Sequence, residues 1–328
     1  MPPAPRIPVI VGPTAGGKTA LAVEVALEFA RRGGRQGEII SADAFQVYRG
    51  MDIGTGKATP TEQRGVTHHL LDILEPDDSE PFTVARWLEL AERMIEDIRA
   101  RGNVPIIVGG THLYIKSFLE GFFEGPGADD ALREKLRGLK SPALRAELER
   151  VDPEAAKRIH PNDQRRTIRA IEVFRLTGRP ISEHQAQWDR EDRARPDAVL
   201  VGLEWAAEAI NPRINARVKA MIEAGFLEEV RGLLEADRLG RQAREALGYK
   251  QLAAWIEAGG KVVADCGGKD EELGDTIERI KIETRRFAKN QRTWLRRLKG
   301  IPGSVWLRPA EMSLEEMVQT VVAQALPS

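Results

Sequence analysis

One cysteine, Cys266, is all that 328 residues contain. A lone thiol excludes an internal disulfide and a cysteine-based zinc site, and it suits a reducing compartment. No apolar run approaches the roughly 18 residues that would mark a membrane span, so no membrane partner is expected. The opening MPPAPR is too short and too polar for a secretory signal, which makes the cytoplasm the expected location. Charge of one sign is lacking too: 49 basic residues against 50 acidic ones leave a net charge of −1. Global charge is therefore silent about nucleic acid, and only local placement can speak to it. There is no internal repeat and no low-complexity tract. What is present is an ordinary soluble composition, 42% apolar and 30% charged, in a chain long enough for one large or two modest domains.

The most informative stretch is GPTAGGKT: Gly12, Pro13, Thr14, Ala15, Gly16, Gly17, Lys18 and Thr19. It fits G-x-x-x-x-G-K-[ST], with the apolar Val9-Ile10-Val11 ahead and the helix-forming ALAVEVALE behind. Strand, glycine-rich turn and helix together predict a phosphate cradle. Glycines let backbone N–H groups converge on one anion, and the helix start adds unpaired donors and a positive dipole end. Lys18 offers a point charge to phosphate oxygens, and the Thr19 hydroxyl suits Mg²⁺. Taken alone, such a loop predicts an ATP- or GTP-using kinase.

Along the chain, Glu38–Ser41 reads as a second strand ending near Asp43, with a long loop from Ser41 to Lys57. Asp43 then stands on the same rim as the phosphate loop, either as a functional carboxylate or as a turn aspartate. His68–Ile73 reads as a third strand, and adjacent histidines on a strand face opposite sides, which argues against one shared metal ion. Phe82–Arg101 is an amphipathic helix with Thr83 as a cap and Leu88, Ala91, Ile95 and Ile98 on one face. Val104–Val108 is a fourth strand, followed by Gly109-Gly110-Thr111, where backbone can approach a ligand.

After Gly121 the strand–helix alternation stops. The expected architecture is an α/β, P-loop NTPase-like parallel sheet core over residues 1–121 and 198–328, interrupted by a helical insertion over 122–197. FEGPGA, Phe123 to Ala128, reads as a linker. Within the insertion, Arg165 and Arg169 share a helix face beside Arg166; an RNA contact and a solvated face are equal readings there. Ala198–Leu203 resumes the sheet. Asn211-Pro212 looks like a cap and first-turn proline, with Arg213 and Arg217 on the helix it opens. In Ile277–Leu298, the residues Ile280, Thr284, Phe287, Gln291, Leu295 and Leu298 form one stripe, and Arg285, Lys289, Arg292 and Arg296 line up opposite. A long stripe of one sign repels itself, so a polyanionic partner is favoured. Trp188 and Trp294 suit core packing better than base stacking. Ser313-Leu314-Glu315-Glu316 is a capping box for a last helix.

The combination of GPTAGGKT, Asp43 after IISA, GMDIGTGK, HHLLD, VGGT, HPND, LGYKQ and KNQRTWLRR resembles the bacterial tRNA dimethylallyltransferases, from about Ile7 to Trp306. The resemblance implies that the loop holds the pyrophosphate of dimethylallyl diphosphate and not a nucleotide. It implies transfer of the prenyl group to N6 of the adenosine 3′ of the anticodon, with Asp43 as general base, Arg217 on the diphosphate side, and Thr111 as a channel threonine that either hydrogen-bonds the diphosphate or positions Asp43. It implies RNA contacts at Asp43, Ala44, Phe45 and Gln46; at Arg133; at Gln164, Arg165, Arg166 and Arg169; at Glu245, Gly248, Tyr249 and Lys250; and at Arg285, Lys289 and Arg292. A tRNA anticodon stem-loop and dimethylallyl diphosphate are thus the expected partners, Mg²⁺ the expected cofactor, and a monomer the expected form. Asn290 departs from the basic residue that many relatives carry between the lysine and glutamine. The zinc finger of eukaryotic relatives is excluded by the single cysteine. An adenylate isopentenyltransferase and a small-molecule P-loop kinase are the alternatives; the roughly seventy-residue charged insertion favours a macromolecular acceptor.

Overall fold

Short β-branched runs become the strands of an all-parallel sheet, and the helices between them bury its faces. A computed structural model of the chain describes residues 4–79, 82–121, 125–185, 195–260, 262–263 and 270–326. The first part runs β1 (Ile7–Val11), α1 (Lys18–Gly33), β2 (Gly37–Ala42), α2 (Pro60–Gln63), β3 (His68–His69), α3 (Val84–Ala100), β4 (Val104–Gly109) and α4 (His112–Glu120). Strands β1, β2 and β4 are buried at every residue, as expected where helices cover both faces of a parallel sheet. Thr83 caps α3 by accepting from Arg86 N, and Trp87, Ala91, Ile95 and Ile98 are its buried residues, so Trp87 joins the predicted face while Leu88 lies at its margin. The Trp87 indole donates to Ser41 O at 2.8 Å and stacks on Tyr114.

The third strand is shorter than predicted. Only His68 and His69 pair with β2, because Leu70 and Asp72 take positive φ values of 62° and 53° and turn the chain out of the ladder. The two histidines have separate partners, His68 the Val66 carbonyl at 2.9 Å and His69 the Glu38 carboxylate at 2.7 Å.

One compact unit comprises residues Ser117–Arg195 and so starts inside α4, ahead of the Gly121 boundary read from composition. It contains α5 (Asp130–Arg137), α6 (Ser141–Val151), α7 (Pro153–Arg158), α8 (Gln164–Thr177) and α9 (Ile181–Gln185), with no strand among its described residues. Leu136, Leu144, Leu148, Ala155, Ile168 and Ile171 form its own core. Phe123 and Glu124 of the linker, and Trp188, lie outside the described residues.

The other unit, Met1–Lys116 with Pro196–Ser328, continues as β5 (Ala198–Leu203), α10 (Ala207–Glu223), α11 (Phe226–Glu235), α12 (Tyr249–Glu257), β6 (Val262–Val263), β7 (Asp270–Glu271), α13 (Leu273–Leu298), β8 (Val305–Leu307) and α14 (Leu314–Ala325). The short β6–β7 pair and strand β8 were not anticipated, and Cys266 lies outside the described residues. Helix α10 begins before Asn211-Pro212, leaving Pro212 inside it. The helix-forming Ala207–Ile210 segment and the buried Ile210 and Ile214 set its face ahead of the proline. Ser313 caps α14 with the predicted box. The strand order is β3-β2-β4-β1-β5-β8. Alternate strand residues such as Ile10, Ile39, Ile106 and Val201 share one core cluster with α1 and α14. The chain leaves β1 toward β2 and leaves β4 toward β5, so the neighbours β1 and β4 flank a switch point, where ligands sit beyond the strand ends.

Candidate active site

The loop after β1 is built to present backbone donors. Gly17 has φ 87°, a conformation in which a side chain would be strained, and Lys18 opens α1 directly behind it. The loop's carbonyls are already bonded: Lys18 Nζ donates to Gly12 O at 3.1 Å and Pro13 O at 2.9 Å, Arg213 Nε to Ala15 O at 3.1 Å, and the Trp205 indole to Gly16 O at 3.1 Å. Among the described residues, the N–H groups of Ala15, Gly17, Lys18 and Thr19 have no acceptor. The result is a ring of open donors around a lysine. Burial of the Lys18 ammonium, and then the Arg217 guanidinium nearby, lower its pKa from 10.5 to about 8, against the pull of Asp43.

At the end of β2, Asp43 Oδ1 accepts from Phe45 N at 2.9 Å and Gln46 N at 3.3 Å. The turn-aspartate geometry is therefore real, and it orients the carboxylate; among the described residues its Oδ2 has no hydrogen-bond donor. Thr111 Oγ1 accepts from Ala44 N at 3.2 Å, and Thr111 N donates to Ala42 O at 3.3 Å, so the hydroxyl ties the residue after Asp43 to the β4 rim. Gln291, buried on α13, accepts from Thr14 N at 2.8 Å and donates to Gly110 O at 3.2 Å. It fastens the phosphate loop to the Gly109-Gly110-Thr111 turn. The sequence signal for this role was a polar head within a mostly apolar helical stripe.

Asp43, Thr111, Arg217 and Gln291 line one cavity of about 470 Å³ with Thr14, Ala15 and an apolar wall that includes Val218, Met221, Phe226 and Trp294. Trp294 is buried there and stacks on His112. A second cavity of about 1000 Å³ is lined by Gly16, Gly17, Lys18, Thr19, Lys57 and Arg213. Ala15, Arg217 and Met221 belong to both, so Arg217 stands where the two meet. Burial lowers the Arg217 pKa from its ordinary value, opposed by Asp43 and Glu62. Among the described residues the Thr19 hydroxyl has no hydrogen-bond partner, and no group of three acidic, histidine or cysteine side chains is placed to hold a metal. That donor set fits Mg²⁺ carried mainly by phosphate oxygens and water, with one hydroxyl from the protein.

A family model for IPP transferase matches residues 46–298, and one for isopentenyl transferase matches residues 5–77. The chain is 42% identical to a tRNA dimethylallyltransferase of Carboxydothermus hydrogenoformans, over 98% of this chain and 97% of that one. It belongs to the IPP transferase family. Among solved structures it is similar to the full-length tRNA isopentenylpyrophosphate transferase of Bacillus halodurans, at 34% identity and TM-score 0.68 over 98% of this chain and 96% of that one. It is also similar to a eukaryotic dimethylallyltransferase acting on tRNA, at 28% identity and TM-score 0.75 over 93% of this chain and 74% of that one.

Of the predicted RNA-contact residues, Asp43, Ala44 and Phe45 line the first cavity, and most others fall into three groups. Gln164, Arg165, Arg166, Glu245, Lys250 and Lys289 are exposed, with Lys250 paired to Glu245 at 2.9 Å and Arg166 near Asp163. Others are already engaged. Arg133 and Arg169 both bind the buried Glu172, at 2.9 and 2.6 Å. Burial pushes the Glu172 carboxyl up, but those two guanidinium bonds outweigh it and hold its pKa below the ordinary range. Gln46 donates to Thr55 O and Gly56 O, and Arg285 donates to Asn215 Oδ1 at 2.5 Å. The last group is interior. Tyr249 is wholly buried, with its hydroxyl on Glu229, and Gly248 packs against the Phe226 ring. A direct RNA contact by these two does not fit that burial; they shape the cavity wall behind Ala246 and Leu247. Phe287, expected in the apolar stripe, is instead 43% exposed at the cavity lip, while Ile280, Gln291, Leu295 and Leu298 are buried. The basic stripe is uneven as well: Lys289 and Arg296 are exposed, whereas Arg292 has a buried Nη1 without a partner among the described residues.

Proposed function

We propose that this chain is a tRNA dimethylallyltransferase, moving the dimethylallyl group of dimethylallyl diphosphate to N6 of the adenosine 3′ of the anticodon. The observation that carries the reading is a cavity lined by Asp43, Thr14 and Ala15 that shares Arg217 with the cavity lined by Lys18 and Thr19, backed by relatives named for this reaction. Diphosphate binds the open amides of Ala15, Gly17, Lys18 and Thr19 and the Lys18 ammonium, which shifts from the loop carbonyls to the ligand. The prenyl tail takes the apolar wall.

An exocyclic adenine amine is a weak nucleophile, since its lone pair is delocalised into the ring. Asp43 orients the N6–H and accepts its proton as the N6–C1 bond forms. The C1–O bond breaks, and the electron pair leaves on the diphosphate. Lys18, Arg217 and the loop amides stabilise that charge as it grows. Thr111 acts through the Ala44 amide, keeping the Asp43 turn in register. Thr19 would hold Mg²⁺, which when bound lends Lewis-acid stabilisation to phosphate oxygens. The target base must leave its stack to enter the cavity. The exposed arginines and lysines hold the surrounding RNA through phosphates and leave the sequence reading to other groups. No helix among the described residues is long and apolar enough to cross a membrane, and we assign the protein to the cytoplasm with its RNA.

The test is incubation of the protein with labelled dimethylallyl diphosphate and, separately, tRNA, AMP or no acceptor. Label on tRNA with release of diphosphate is the expected result. Label on AMP alone, or ATP hydrolysis without transfer, would refute the assignment.

A further inference from the structure

The chain holds a second glycine-rich stretch, Gly50 to Lys57, that the reaction above leaves without a role. Three successive N–H groups converge there as in an anion cradle. Their acceptor is internal: Glu229 of α11 takes Asp52 N at 2.9 Å and Ile53 N at 2.7 Å on Oε2, and Gly54 N at 3.2 Å on Oε1. The buried Tyr249 hydroxyl donates to the same Oε1. Burial first, and then the Glu229 charge, raise the Tyr249 pKa, so the phenol keeps its proton and remains a donor. Lys57, with a side chain only 6% exposed, clamps the far end by donating to Tyr48 O and Asp52 Oδ1 at 2.6 Å and to Asp72 Oδ1 at 2.5 Å.

The loop held this way touches both sides of the reacting centre. Gly56, at φ 62°, lies flat on the Arg217 guanidinium; a Cβ there would sit 1.7 Å from Nη2. Gln46 donates its side-chain amide to Thr55 O at 3.3 Å and Gly56 O at 3.4 Å, accepts from Ser41 Oγ at 3.0 Å, and gives its backbone N–H to Asp43. Arg217 and Asp43 therefore both take their bearings from a loop whose anchor, Glu229, lines neither cavity.

We propose that Glu229 is a positioning residue for prenyl transfer: it fixes the Asp52–Gly56 loop that supports Arg217 directly and Asp43 through Gln46. The proposal rests on the reaction assigned above. An anchor that served stability alone would lower the folded fraction and leave each folded site unaltered.

Glu229→Gln is the test, since glutamine keeps one acceptor oxygen but turns an NH₂ group toward amides that need an acceptor. Three quantities are measured on the full chain: hydrogen exchange at residues 52–54, affinity for inorganic diphosphate, and kcat per folded site with tRNA and dimethylallyl diphosphate. The expected result is faster exchange, diphosphate affinity down about tenfold, kcat down about 10- to 100-fold, and KM for tRNA within about twofold. Unchanged exchange, or faster exchange with wild-type diphosphate affinity and kcat, overturns the proposal. Diphosphate binding judges the loop even if the wild-type protein fails to prenylate RNA, so the two readings fail separately. Should the glutamine variant not fold, Tyr249→Phe is measured in the same way, with an expected loss of about threefold in kcat and the same overturning result.

Discussion

Among the described residues, Gly12–Thr19 leaves the N–H groups of Ala15, Gly17, Lys18 and Thr19 open beside a lysine, whereas the second glycine-rich turn delivers its three converging N–H groups to Glu229. Both stretches look alike in sequence, since glycine spacing records only that backbone can fold amides inward. Whether the anion is a ligand or a side chain is decided by what the tertiary fold brings up, here a carboxylate about 175 residues further along the chain. On the proposed function the first turn meets the ligand directly and the second supports it from behind, so substitutions in the first should cost affinity alone and those in the second stability as well.

The largest expected effect lies between the two turns. Asp43→Ala removes the proton acceptor and should lower turnover by about two to four decades with tRNA binding largely intact. Single-turnover rates against filter-binding affinities decide it, and normal turnover would remove Asp43 from the mechanism. Lys18→Ala, in the open turn, should weaken inorganic diphosphate by roughly 30- to 5000-fold, the range for losing one partner of a desolvated charge contact, with no loss of melting temperature, since the buried ammonium opposes folding below about pH 8. Isothermal calorimetry beside thermal unfolding shows whether affinity and stability part company. Gly54→Ala, in the filled turn, should instead lower stability, and lower diphosphate affinity by about tenfold or less through the loop that supports Arg217. Its Cβ would lie 2.1 Å from the Phe226 ring, and such overpacking costs about 1–3 kcal/mol in denaturant unfolding.

The pH response distinguishes the open turn in a second way. Lys18 titrates near 8 in the substrate-free protein and near 10.5 when unfolded. Below about pH 8 its charge is present and attracts diphosphate, so affinity falls as pH rises through that value, and Lys18→Arg flattens the curve. Stability has the opposite sign. Between about 8 and 10.5 the unfolded chain binds more protons, so the contribution of this group rises with pH. The smallest effect is at the surface: Lys289→Ala should reduce tRNA affinity modestly and lower the slope of log affinity against log salt by about one.

Much of this was legible in local pattern. The loop at Gly12, the position of Asp43 beyond a buried strand, the Thr83 and Ser313 caps and the helical break in the middle of the chain all follow from short-range periodicity and spacing. What was not legible depends on distant partners. Tyr249, an RNA contact by resemblance, is buried once Phe226 and Glu229 close over it. Arg133 and Arg169 read as free charge until Glu172 is seen between them. The premature end of β3 reflects positive φ at Leu70 and Asp72, which residue type does not announce. Pro212 misled because a proline is tolerated within a helix whose face is set by Ile210 and Ile214.

Gln291 has an implication for taking the protein apart. The helix that carries Lys289, Arg292 and Arg296 also supplies the amide that pins Thr14 to Gly110. A shortened version ending ahead of Leu273 would not be a donor-only half awaiting its RNA module, because its pyrophosphate seat would lose a wall. On the proposed function, acceptor recognition and donor retention share that one helix, and neither would be transplanted without the other.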